Sequence, residues 1–168
     1  MSFTIYESTI PPMTAMLRNL SKILDKAAAQ AKDKGIPLSA LLEARLAPDM
    51  HPFPRQIQIA SDTAKGCAAR LAGIEAPSMA DTESTFDELQ ARIAKTVAFL
   101  ESVKKEQLFG AEDRTVTLKF PNGEMNFSGR DYATLFAMPN FYFHVTVAYG
   151  LLRHKGIEIG KRDYLGEP

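Results

Sequence analysis

Residues Leu135 to Leu152 are apolar nearly all round. A helix this greasy cannot keep one face in water, so the run has to pass through the interior of whatever the chain folds into. Two polar side chains interrupt it. Asn140 and His144 stand at i and i+4, which puts both on one helix face. Burying such groups costs about 1–3 kcal/mol apiece unless they find partners, so a polar seam or a pocket must meet them. The flanking Phe141, Tyr142 and Phe143 either line a small-molecule pocket or fill an interior.

Three further segments repeat at helical spacing, so the chain reads as an all-α bundle of four long helices. The first spans about Pro12–Lys32, with Met13, Leu17, Leu20, Leu24, Ala27 and Ala31 on one stripe, and fades at Lys34-Gly35. The second starts near His51 and runs to Leu71 before Gly73, burying Phe53, Ile57, Ala60, Ala64, Cys67 and Leu71. Pro52 and Pro54 belong in its first turn, where an amide has no helical partner anyway. The third opens on a capping box, Thr85-Phe86-Asp87-Glu88, and repeats Phe86, Leu89, Ile93, Val97, Leu100 and Val103. The fourth covers about Asp131–Lys155, with Pro139 expected to kink or interrupt it. Pro37–Leu46 predicts a short extra helix before the second. Between the third and fourth, Val116, Leu118 and Phe120 alternate with polar residues, turn at Pro121-Asn122-Gly123, and continue through Met125 and Phe127. That pattern is a β-hairpin whose apolar face needs a neighbour to cover it.

The 168 residues suit one domain, 1–168, with a single core. Acidic and basic residues balance at 20 each and no basic stripe appears, which argues against a nucleic-acid partner. Cys67 is the sole cysteine, so no intrachain disulfide can form. Set among Ala64, Gly66 and Ala68, it reads as a small residue at a tight helix contact rather than a nucleophile. The N-terminus lacks a secretory pattern, and Pro139, Asn140 and His144 break the longest apolar run. The expectation is a cytoplasmic protein with no membrane span. The tail Gly156–Pro168 carries Ile157, Ile159, Tyr164 and Leu165. It is too apolar to trail free, so it should pack on the bundle or on a second subunit, and a homodimer is the expected assembly.

Four segments are distinctive: Leu-Ala-Pro-Asp-Met at 46–50, Arg-Gln-Ile-Gln-Ile-Ala-Ser-Asp-Thr-Ala-Lys-Gly at 55–66, Pro-Asn-Phe-Tyr-Phe-His at 139–144 and Gly-Lys-Arg-Asp-Tyr-Leu-Gly at 160–166. In these the chain resembles a bacterial family of unknown function within the DinB-like superfamily. The resemblance implies an all-α, DinB-like four-helix bundle, with the short extra helix before helix 2 and the small β-hairpin between helices 3 and 4. It also implies where a site would lie. In that superfamily a His-x-x-x-His pair on the last helix and a third histidine on the second hold one divalent metal, zinc or nickel, suited to activating a thiol or water in a transferase or hydrolase. The ending Leu151-Leu152-Arg153-His154-Lys155-Gly156 places His144 at the second histidine and Asn140 at the first. No histidine lies inside the second helix.

The implied metal set is therefore His144, Asn140, His51 and Asp49, and it is depleted, since an amide oxygen is a weak zinc ligand. No cofactor is assured. The expectation is a polar small-molecule pocket around His144 and Asn140, with Tyr142 and Gln56 beside them; Gln56 approaches the third ligand position. The alternative is a non-catalytic, dimeric binding protein with a structural His144. Asp49 and His51 either cap the second helix or stand exposed, or else share a site with His144. Asp62 and Lys65 flank the apolar stripe and read as a solvated pair worth less than about 1 kcal/mol. His154, among Arg153 and Lys155, complements the helix dipole.

Overall fold

The computed structural model describes residues 3–166. Most of these are helical, in four long helices joined by shorter elements. The first, α1, spans Ile5–Lys34 and starts earlier than proline placement suggests, with Pro11 and Pro12 inside it. Thr4 and Glu7 form a capping box, and buried Ile5 and Ile10 anchor the first turns in the core. That anchorage outweighs the two backbone bonds the prolines forgo. Gly35 ends the helix in the left-handed conformation.

A short helix, α2, covers only Leu38–Leu42. The rest of the expected Pro37–Leu46 helix unwinds because the Ala44 carbonyl leaves to accept the amide of Phe53 at 3.0 Å. Helix α3 runs Phe53–Ala72 from Pro52, with no side-chain cap. Neither Asp49 nor His51 caps it; both are exposed. Helix α4, Phe86–Ser102, begins with the Thr85–Glu88 capping box as expected.

After two short turns come β1 (Thr115–Phe120) and β2 (Gly123–Ser128), paired antiparallel with Val116 opposite Phe127 and Leu118 opposite Met125. Val116 and Leu118 are buried, and Phe127 packs 5.9 Å from Phe136, while Phe120 and Met125 stay half exposed at the tip. The strand exit is tight. A Cβ on Gly129 would overlap the Ala111 carbonyl oxygen, so only glycine fits.

The apolar run is not one helix. A single turn, α5 (Gly129–Asp131), leads into a π-helical stretch at Tyr132–Ala137 and then α6, Met138–His154. Pro139 has no amide to give the Leu135 carbonyl, and the turn before it widens: the amide of Met138 bonds back five residues to Ala133. The expected kink is absorbed as a π segment. By length and composition Gly129–His154 could cross a membrane; here Phe141, Val145, Ala148, Leu151 and Leu152 are buried, and α6 packs on α3 and α1.

Helix α3 touches all three other long helices. Its small residues Ala60, Ala64 and Ala68 are fully buried, as is Cys67, whose thiol burial pushes up to about 12. The final helix, α7 (Lys161–Leu165), lies on α1, with Asn19 donating to the Tyr164 carbonyl at 3.1 Å and Ile157 and Ile159 buried. The tail thus packs on its own chain; Glu167 and Pro168 lie outside the described residues.

Candidate functional site

Helix α3 and the α5–α6 run cross along a line of polar contacts. His144 Nδ1 meets Gln56 Oε1 at 2.7 Å, Asn140 Nδ2 donates to Thr63 Oγ1 at 2.8 Å, and Arg70 donates to the Tyr132 hydroxyl at 3.1 Å. Gln56, Thr63 and Arg70 are seven apart on α3, which keeps them on one face, and their partners run back along the other helix. Asn140 and His144 therefore do not bond each other; each is satisfied by α3.

The first rung fixes a tautomer. Gln56 Nε2 donates to the backbone carbonyl of His51 at 2.9 Å. A carbonyl only accepts, so the amide nitrogen must point there and Oε1 must face the imidazole. His144 Nδ1 is then the protonated nitrogen, and Nε2 carries the lone pair. His144 is only 9% exposed. Burial, then the nearby His51 and Arg55, pull its pKa below the ordinary histidine value, so the ring is neutral at pH 7. Nε2 makes no hydrogen bond among the described residues, yet it is not sealed from solvent. A neutral imidazole clamped at one nitrogen and open at the other is a ready acceptor or base.

Tyr142 does not join this group. It lies two residues from His144 and so on another side of α6; its hydroxyl sits in the field of Tyr164 and is raised chiefly by burial. Gln56 is the expected residue that the fold brings to His144. Thr63 and Arg70 were not singled out from sequence, although their seven-residue spacing from Gln56 was the available signal.

A second polar cluster lies on the other side of α3. Arg92 of α4, 2% exposed, bonds Asp62 at 2.6 Å, Asp81 at 2.7 Å and Glu83 at 3.0 Å, and also the Gln58 carbonyl. Burial works against its charge, but Glu83 and Asp62 more than offset that and raise its pKa. Lys65, 9% exposed, pairs with Asp62 at 3.1 Å and donates to the Pro77 carbonyl at 2.8 Å. Lys65 is thus a buried partner and Asp62 a half-buried one, not a solvated flank. The charge they face is Arg92, which sits at core spacing between Leu89 and Thr96.

The sequence matches the family described as a domain of unknown function, DUF1993, over residues 5–165. The chain belongs to this family. A solved structure of a DinB family member from Shewanella denitrificans is 42% identical to this DUF1993 chain, covering 98% of it and 93% of its own length, with a TM-score of 0.91. No curated protein matches.

The DinB relationship raises the question of a metal, and the residues of this DUF1993 chain do not fit one. Among the described residues no three His, Cys, Asp or Glu side chains converge on a point. His144 Nε2 and the Asn140 carbonyl oxygen are still free among these residues, but His51 and Asp49, the rest of the expected set, are exposed at the entrance to α3, which leaves one imidazole and one weak amide oxygen. Gln56, expected to approach the third ligand position, is a neutral amide hydrogen-bonded to the imidazole.

Proposed function

We propose that this DUF1993 protein is a DinB-like four-helix bundle that binds a small molecule through the open Nε2 of His144, without a metal. The observation that carries this reading is the hydrogen-bond relay from the His51 carbonyl through Gln56 to His144 Nδ1. It selects the tautomer, while burial keeps the ring neutral, and the basic lone pair is aimed away from the anchor. The complementary ligand carries a hydrogen-bond donor, such as a hydroxyl or amide. The same lone pair would serve as general base in a transfer or hydrolysis. Asn140, one turn away, has its carbonyl oxygen free of the Thr63 contact and supports a second acceptor contact.

The test is a thermal-shift screen of metabolites and divalent metals on untagged protein, since a ligand of the native state alone must raise Tm. Donor-bearing ligands are expected to stabilise the wild type, and His144→Ala to abolish their shift. A His144→Ala variant that loses stability while ligand shifts persist would leave His144 structural. Retention of about one equivalent of a transition metal would overturn the metal-free reading.

A further inference from the structure

A cavity of about 210 Å³ opens at the other end of the α3 seam, lined by Asp62, Thr63, Arg70, Leu118, Lys119, Phe120, Tyr132 and Phe136. Three aromatic rings come from two elements: Phe120 from β1, and Tyr132 and Phe136 from the π-helical stretch, which sets them four apart and stacks them at 6.1 Å. Segments of π-helix are frequent at functional sites because they re-aim side chains.

The charge at the cavity is positive. Neither Arg70 nor Lys119 has a carboxylate partner among the described residues, whereas Asp62 is neutralised by Arg92 at 2.6 Å and Lys65 at 3.1 Å. Arg70 is also held in place. Its guanidinium carbon lies 5.8 Å from the centre of the Tyr132 ring, and one nitrogen donates to the Tyr132 hydroxyl. A Cβ on Gly66 would collide with that nitrogen, so the glycine gives the guanidinium a bed along α3. The remaining N–H groups of Arg70 have no acceptor among the described residues. A guanidinium fixed on one side and open on the other offers the paired donors that a carboxylate takes.

We infer that this cavity binds a small aromatic carboxylate, its ring among Phe120, Tyr132 and Phe136 and its carboxylate on Arg70 and Lys119. The volume lies below the roughly 300 Å³ of pockets for drug-sized ligands, which points to a single ring. Its anchor Arg70 lies about four helical turns along α3 from Gln56, the partner of His144, so the two sites are separate.

The test uses para-fluorobenzoate, with para-fluorobenzamide as its neutral isostere, titrated into the full chain and followed by fluorine NMR and backbone amide shifts. The expected result is saturable binding of the carboxylate with a Kd of about 1 mM or tighter. Amide shifts should centre on residues around Arg70, Tyr132 and Lys119, and the benzamide should bind at least about tenfold more weakly. Arg70→Ala, at an exposed position, should weaken binding about tenfold, and Lys119→Ala less. Gly66→Ala, which displaces the guanidinium without removing it, should also weaken binding while leaving the helix intact. His144→Ala should change nothing, which separates this site from the function proposed above. Equal affinity for acid and amide, no saturable binding of the acid, or full binding by Arg70→Ala would each overturn the inference.

Discussion

Helix α3 buries polar groups on two faces and satisfies them by different means. Toward α5 and α6 the contacts are led by neutral pairs, Gln56–His144 and Thr63–Asn140. Toward α4 and the 74–85 connection they are ionic: Arg92, Lys65 and Arg55 against Asp62, Asp81 and Glu83, three charges of each sign. The ionic face is nearly saturated, with Arg92 Nε its one buried side-chain atom lacking a partner among the described residues. It pins the 74–85 connection so firmly that Asp81 keeps a left-handed φ of 57°. The neutral face leaves the lone pair of His144 unspent. Saturation makes a fastener; an unspent donor or acceptor makes a site.

The largest expected effect is on the ionic face. Arg92→Met removes the one cation common to three acids and leaves them partly buried together. Loss of one member of a buried ion pair typically costs about 3–5 kcal/mol. Because Asp62 and Asp81 are about one-third exposed and can rehydrate, a loss near the lower end, about 3 kcal/mol, is expected from urea unfolding. A loss below about 1 kcal/mol would show that the cluster is solvated and that the contrast between the two faces is false.

The neutral face should respond less, and differently. Gln56→Leu leaves the Nδ1–H of His144 without an acceptor, at a cost of about 1–2 kcal/mol. Replacing both partners, Gln56→Leu with His144→Leu, removes the stranded polar group as well, so the double variant should recover most of that loss. Additive losses in the double-mutant cycle would mean that the two side chains do not act as a pair. No comparable recovery is available to Arg92, whose three acid partners come from two places in the chain.

How far the sequence disclosed this depends on whether a signal is local. The helix stripes, the Thr85–Glu88 box, the hairpin and the Pro139 disturbance were legible because spacing and capping are short-range. The start of α1 was not, because proline statistics pointed to Pro12 while tertiary anchoring at Ile5 and Ile10 decided it. His144 as an interior residue followed from the apolar run around it. Its partner and tautomer did not, since both depend on where Gln56 falls relative to the His51 carbonyl. Arg92 escaped notice because a lone arginine inside an amphipathic stripe has no local mark. Only the acids that reach it, from α3 and from the 74–85 connection, make its burial tolerable.

The smallest effect, and the one that probes both faces in a single experiment, is the acid limb of stability. His144 has its folded pKa below the ordinary 6.5, so below that value the unfolded chain binds the proton first. Its contribution is therefore complete above about pH 6.5 and is lost as pH falls toward the lowered value. Asp81 and Glu83, whose burial is outweighed by bonds from Arg55, Arg92 and Gln58, are likewise lowered from 3.8 and 4.5. The sign is the same, with stability lost as pH falls below those ordinary values, so the two faces unload in sequence. Exposed Glu88 and Glu158 and half-buried Glu7 and Asp163, also lowered, add only to the later step. Unfolding free energy measured against pH should fall in two stages in the wild type. The Gln56→Leu, His144→Leu double variant should lose the first stage and keep the second. If the two proteins superimpose between about pH 7 and about pH 5, the imidazole is not held neutral and the open nitrogen loses its basis.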